Sequence, residues 1–235
     1  IFNINDGRYR CPSTQQGYSP FSTWTRGLAW IMCGYPEQLQ YLQLIPDQEL
    51  QSVGDPEAIE TEMLQASRAT CDFYIEHTPT DGIPYWDTAA PGLSHMPDHL
   101  TQPSDPFNAW EPIDSSAAAI AAQGLLRLGR YLQPTDPAGA QRYCQAGLTV
   151  MRTLLNPTYL SENMDHQGLL LHAVYHRPRG WDHIAEGASI PFGESCMWGD
   201  YHLREACTYL ESLSETGPDY CFFGPSPHAT RSESD

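Results

Sequence analysis

The stretch DSSAAAIAAQGLLRLGRYL, residues 114–132, limits the possible folds more than any other. From Ala117 to Gly124 it is almost wholly small and apolar around its circumference, and a helix of that kind needs cover on every side. Asp114 stands where a carboxylate would accept free N–H groups of the first turn, and Pro134 ends the helix. Asp136-Pro137 opens a second helix to about Leu155, closed by Asn156-Pro157. In it Tyr143, Gly147, Val150 and Leu154 form one stripe, leaving Gln141, Arg142 and Gln145 toward water. A fully buried helix joined by a short connector to a one-sided helix is the pattern of an inner and an outer helix in a layered α/α array.

Other segments extend that pattern. Asp55-Pro56 starts a helix to about His77, with Ile59, Met63, Ala66, Thr70 and Phe73 at helical spacing. An earlier helix runs from about Thr23 to Gly34, and Pro36 sets off a second piece ending at Leu44. Met197–Leu213 makes the last clear helix, and Gly168–Gly180 reads as a short extended piece feeding a loop. With about six helices and no convincing β-hairpin, the chain is all-α. Residues 78–113 are Pro-rich and carry Tyr85, Trp86, His95, His99 and Trp110. So long a connection inside a compact domain points to a lid or binding loop. Residues 217–235 read as a frayed tail.

Charge removes several functions. The 235 residues carry a formal net charge of −17, which disfavours nucleic acid and anionic membrane surfaces as partners. The twelve basic residues are all Arg, so Schiff-base chemistry and a phosphate-loop Lys have no residue to carry them. Seven Cys are scattered and never spaced C-x-x-C, which reads as small buried hydrophobes and favours a reducing compartment such as the cytoplasm. No apolar run approaches membrane-spanning length. His172 and His176 are four apart, but Ala173 occupies the Glu position of H-E-x-x-H, so the pair reads as structural and no metal is expected. There is no G-x-S-x-G elbow and no Gly-rich phosphate loop. Asp87, Asp114 and Asp200 stand beside Trp, Ser or Tyr at element mouths, where capping or a structural hydrogen bond is the first reading.

The segment TQQGYSPFSTWTRGLAW, residues 14–30, concentrates groups able to grip a polar ring. Ser22 or Thr23 is placed to cap the helix. Arg26 and Trp30, four apart, share a face. Trp24 stands roughly 200° around the helix from Arg26, so both meet one ligand only if Trp24 lies at the helix mouth. A buried Arg needs an anionic partner, from a distant carboxylate or from a ligand, since the segment holds no Asp or Glu. Trp24, Trp30, Tyr85, Trp86, Trp110, Tyr175, Trp181 and Trp198 fall near loop–helix junctions. Flat rings beside Gln, Asn, Asp and Arg suit sugar binding, with ordinary aromatic core as the alternative.

Five stretches in order, TQQGYSPFSTWTRGLAW, DGIPYWD, DSSAAAIAAQGLLRL, LLHAVYHRPRG and WGDYHLREA, closely resemble the unsaturated glucuronyl hydrolases of glycoside hydrolase family 88. The resemblance covers Gly7 to about Leu213. It implies an (α/α)6 barrel, a toroid of six hairpins, with the active site at one mouth and no cofactor. It implies polysaccharide degradation, acting on oligosaccharides that end in a 4,5-unsaturated uronic acid. The catalytic Asp pair of that family lies upstream of the TQQGY segment, so residues 1–235 are expected to be the C-terminal half of one barrel domain, with the N-terminal half as its missing partner. The positions carried over are substrate-binding: Gln16, Trp24, Arg26, Trp30 and Tyr175, with Arg26 a candidate partner for the uronate carboxylate. Two departures stand out: the loop between Trp86 and Asp114 is long for the family, and Ile113 stands where Arg is expected. A non-catalytic carbohydrate-binding α/α protein and an unsaturated rhamnogalacturonyl hydrolase are the alternative readings.

Overall fold

A computed structural model describes residues 1–214 and Phe223. Among the described residues six α-helices follow one another: α1 Thr25–Leu42, α2 Asp47–Leu50, α3 Pro56–Glu76, α4 Ser115–Leu132, α5 Pro137–Leu154 and α6 Met197–Ser214. Short 3-10 turns occupy Pro91–His95 and Arg177–Arg179. Among the described residues β-structure is limited to isolated bridges, such as Leu160 with Leu170. The segment 168–180, expected to be extended, therefore forms one bridge and no strand. The expected tail at 217–235 and Cys221 lie outside the described residues.

The helices form two layers. α1, α4 and α6 lie side by side with α4 in the middle, while α3 lies against α1 and α5 against α4. The inner three run parallel: Arg26, Ser116 and Trp198 meet at their first turns, and Gln40, Arg127 and Glu205 meet toward their ends. α5 runs opposite to α4, since Gly147 backs onto Leu126 while Gly129 backs onto Ala140 and Cys144. Three inner and two outer helices in alternation make an arc of an (α/α)6 toroid. Asp55, Asp114 and Asp136 cap α3, α4 and α5 as their positions imply, each accepting first-turn N–H groups.

α4 is buried on all sides because α1, α5 and α6 cover it. Its closest approach is to α1, where a Cβ on Gly124 would stand 2.2 Å from the Met32 carbonyl oxygen. α1 continues through Pro36 where the sequence suggested two pieces. Pro36 has no N–H to give Met32, and the backbone of Met32 is the part of α1 against which Gly124 packs. Packing against α4 thus keeps continuous a helix that Pro would otherwise divide. On α3 the buried line is Ser67, Cys71 and Tyr74. The expected stripe of Ile59, Met63, Ala66, Thr70 and Phe73 is half-buried, one position off that line. The Tyr74 hydroxyl, which donates to Gly82 O at 2.8 Å, helps to set this rotation. α5 follows expectation, burying Tyr143, Gly147, Val150 and Leu154 and exposing Gln141, Arg142 and Gln145.

Candidate functional site

The N-termini of the parallel inner helices open toward one end, and the long loops gather there. The segment 84–88 crosses the start of α1 and α4: Thr25 N–H donates to Trp86 O at 3.1 Å, and Asp114 N–H donates to Pro84 O at 2.8 Å. The first-turn donor of α1 is therefore satisfied by backbone. Trp24 is the N-cap residue and makes no side-chain cap bond, in place of the Ser22 or Thr23 expected. Ser22 instead donates to the buried Asp87, which also accepts Tyr18 N–H at 2.9 Å and Ala89 N–H at 3.0 Å. Asp87 so fastens the Thr14–Ser22 loop over the mouth.

With Trp24 at the mouth, the condition for it to meet Arg26 holds. The Arg26 guanidinium carbon stands 5.0 Å from the Trp24 ring centre and 4.9 Å from that of Trp198 on α6. Two indoles hold the cation, each contact contributing about 0.5–2 kcal/mol. Its hydrogen bonds are also made within the chain. Nη2 donates to Gln16 Oε1 at 2.9 Å and to Tyr175 O at 2.7 Å. Nη1 donates to Val174 O and lies 3.4 Å from Asp114 and 3.5 Å from Ser116 Oγ. Arg26 is 3% exposed, so of its two expected partners the structure supplies the distant carboxylate, Asp114. A ligand carboxylate reaches this guanidinium only by displacing Gln16 or by adding to a set of donors already occupied.

From Arg26 a ladder of rings leads outward. Trp198 donates through Nε1 to Ser116 Oγ at 3.1 Å and lies 5.5 Å from Tyr175, which lies 5.7 Å from Trp181. Tyr175 and Trp181 are about half exposed. Asp182 holds this loop by accepting the N–H groups of Tyr175 and His176. Gln16, Trp24, Arg26 and Tyr175 are thus brought together. Trp30 stands a turn deeper on the rim, edge-on to His202 at 5.1 Å. Tyr85 and Trp86, grouped with the sugar-facing rings in the sequence, are core residues, and Trp86 donates to Glu111 at 2.8 Å. Trp110 stacks on His95 at 3.9 Å within the 78–113 loop.

Two features were hidden in the sequence. Ser116 accepts from Trp198 and donates to Asp114 Oδ1 at 2.5 Å, coupling the aromatic wall to the Arg26 pair, yet at a helix start it reads as capping alone. Beneath the mouth a buried polar seam joins the inner helices. Gln123 accepts from Cys33 at 3.3 Å and is hydrogen-bonded to His202 at 2.8 Å, and Arg127 lies between Glu37 and Glu205. Burial pushes the Glu37 carboxyl up and the His202 imidazole down. The i, i+4 and i+7 spacing of Trp198, His202 and Glu205 was the available signal for this face.

His172 and His176 form no ligand pair. The His172 ring is bonded to Thr158 O at 3.0 Å and to Gly193 N–H at 3.1 Å, while His176 packs on Trp181. Among the described residues no group of His, Cys, Asp and Glu is placed to hold a metal ion, and no helix is long and apolar enough to cross a membrane.

No family-level sequence profile matches the chain. The unsaturated glucuronyl hydrolase of Bacillus sp. strain GL1 is 29% identical over 210 residues, covering 89% of this chain and 45% of that protein. Its crystal structure superposes with a TM-score of 0.63 at 27% identity, over 89% of this chain and 45% of the other. The unsaturated chondroitin disaccharide hydrolase of Streptococcus agalactiae is 29% identical over 193 residues, covering 82% of this chain and 38% of that protein. A mutant of the unsaturated glucuronyl hydrolase from the same species, complexed with dGlcA-GalNAc6S, superposes with a TM-score of 0.57 at 26% identity, over 87% and 44% of the two chains. The chain spans under half the length of these relatives. In sequence and in helical architecture, it is a homologue of the unsaturated glucuronyl hydrolases.

Proposed function

We propose that this chain is the substrate-holding arc of a glycoside hydrolase that removes a terminal 4,5-unsaturated uronic acid from lyase-generated oligosaccharides. One observation carries the reading: Arg26 is fixed between Trp24 and Trp198 at a mouth toward which the first turns of three parallel helices converge. Helix N-termini and a fixed guanidinium lower the energy of a carboxylate there, and flanking rings take the faces of a sugar. A mutant of the unsaturated glucuronyl hydrolase from Streptococcus agalactiae, a similar protein, is complexed with dGlcA-GalNAc6S.

In this reading Gln16, Trp24, Arg26, Trp30 and Tyr175 bind and orient the unsaturated ring. A carboxylic acid protonates the vinyl ether at C4, water adds at C5, and the hemiketal formed collapses to release an open-chain keto acid. That acid is assigned to a part of the barrel outside this sequence. The carboxylates near this mouth already have other partners: Asp87, Asp182 and Asp200 each accept two backbone amides, and Asp114 caps α4 and faces Arg26. The same commitment favours a second reading for these 235 residues taken alone, a carbohydrate-binding α/α module without its own acid.

Loss of the vinyl carboxylate's ultraviolet absorbance decides between them. The longest polypeptide that carries this sequence is expected to remove it from unsaturated disaccharides. Binding without absorbance loss supports the module, and neither binding nor loss across products of several lyases contradicts both.

A further inference from the structure

Trp30 lacks the fixings that the other indoles of the mouth possess. Trp24 and Trp198 clamp the Arg26 guanidinium, and Trp198 also donates to Ser116 Oγ. Trp30 is 39% exposed, and among the described residues its indole makes no hydrogen bond and meets one other ring, that of His202. The ring centres are 5.1 Å apart and the planes stand at 64°. Trp30 belongs to α1 and His202 to α6, so the contact bridges the two helices that flank α4.

His202 is held in its turn by α4. Its Nδ1 lies 2.8 Å from Gln123 Oε1. A carboxamide oxygen only accepts, so Nδ1 carries the proton and this bond sets the ring plane. Gln123 is fully buried, and the same oxygen accepts from the Cys33 thiol at 3.3 Å. Burial, with Arg127 nearby, holds the imidazole below its ordinary pKa against the opposite pull of Glu205, 3.9 Å away. The ring that meets Trp30 is therefore neutral, and it needs no counter-ion at this depth. Tyr201 meets His202 edge-on at 5.0 Å. A line of contact thus runs from Gln123 through His202 to Trp30, a turn below Arg26 and Trp198.

We infer that His202 is a positioning residue: anchored by Gln123, it fixes the angle at which the Trp30 ring meets the sugar. This deepens the function proposed above and rests on it for the nature of the ligand, which His202 does not touch. An indole packs on the C–H face of a sugar only while its plane lies along that face. Without a hydrogen bond of its own, Trp30 would otherwise exchange among rotamers, and binding would have to order it. Ordering one side chain in advance is worth about two- to tenfold in affinity. Because the ring is held equally before and during reaction, the effect falls on KM and leaves kcat alone.

The experiment uses the longest polypeptide that carries this sequence, with His202→Phe, Gln123→Leu and the double variant, each also in a Trp30→Phe background. His202→Phe keeps a ring and removes the donor. Without ligand, His202→Phe should change the near-ultraviolet circular dichroism and increase acrylamide quenching of indole fluorescence, and both differences should vanish in the Trp30→Phe background. With an unsaturated uronyl disaccharide, KM should rise about three- to tenfold while kcat stays within about twofold. Gln123→Leu should do the same, and the double variant should be no worse than either single one, since all three break one line. The His202→Phe readouts stand by themselves where Gln123→Leu fails to fold. Spectra unchanged by His202→Phe, or changes that persist without Trp30, overturn the inference. So do an unchanged KM in an active protein, a fall in kcat at constant KM, or additive losses in the double variant. Failure of wild type to bind or consume the disaccharide overturns the underlying function instead, while the ligand-free spectra still decide the role of His202.

Discussion

Arg26 and Asp114, both buried, lie 3.4 Å apart and join the first turn of α1 to the cap of α4. The pair sits beneath the mouth and helps to fix both helix starts. Asp114→Ala removes the α4 cap and leaves a buried guanidinium without its counter-charge. Breaking a buried pair from one side costs about 3–5 kcal/mol. Asp114→Asn keeps an acceptor for the Ser116 and Ala117 N–H groups and should lose less. Urea unfolding midpoints should rank wild type above Asn and Asn above Ala; an Ala variant as stable as wild type contradicts this role.

Gly124 of α4 and Gly34 of α1 should respond oppositely to alanine. A Cβ on Gly124 meets Met32 O at 2.2 Å, whereas a Cβ on Gly34 meets nothing within 4 Å. Gly34→Ala should stabilise by up to about 1 kcal/mol through helix propensity. Gly124→Ala gains the same term but forces the α1 and α4 backbones apart, for a net loss of about 1–2 kcal/mol. Thermal melts of the two variants provide the comparison, and a shared sign would contradict the close crossing.

The contribution of two buried histidines to stability should fall as the solution is acidified. Burial lowers the folded-state pKa of His172 and of His202 below the usual 6.5. Below about 6.5 the unfolded chain takes up protons that the folded chain refuses, so stability is greatest at and above that pH and declines toward the folded values. His172 has φ 67, a left-handed conformation that Asn tolerates. His172→Asn should therefore show a shallower dependence of melting temperature on pH between about 7 and 5. An unchanged slope would mean that His172 carries no part of it.

The layer geometry places apolar surface on the flanks of the inner helices. Residues 117–128 of α4 are covered on every side. Exposure falls on its neighbours, at Trp30, Ile31 and Tyr41 of α1 and at Met197 and Tyr201 of α6. These 235 residues expressed alone should self-associate through those flanks, as sedimentation velocity would show. A monodisperse monomer that melts cooperatively contradicts the arc.

Much of this architecture was legible in the sequence because it depends on local chemistry. Asp-Pro starts, the small-residue run of α4 and the stripe of α5 each mark a helix or its cover without reference to distant contacts. Pro36 misled because Met32 and Gly124 are far apart in sequence, and their packing keeps α1 continuous. The α1 cap misled for a similar reason: the Trp86 backbone, far along the chain, accepts the first-turn N–H of Thr25 in place of a Ser22 or Thr23 cap. Within the site, the residue types of Gln16, Trp24, Arg26 and Tyr175 were visible. Their arrangement around Ser116 and Trp198 needed three helices to converge, and no spacing within one helix records that.

Under the proposed function the Arg26 mouth holds a terminal unsaturated uronic acid. Titration of the longest polypeptide carrying this sequence with an unsaturated uronyl disaccharide and its saturated counterpart, followed by tryptophan fluorescence, tests this. The expected result is a saturable change with the unsaturated sugar, weakened about tenfold by Trp198→Leu, and a clearly weaker response to the saturated one. Equal affinities for the two sugars, or an unchanged affinity in Trp198→Leu, would contradict it.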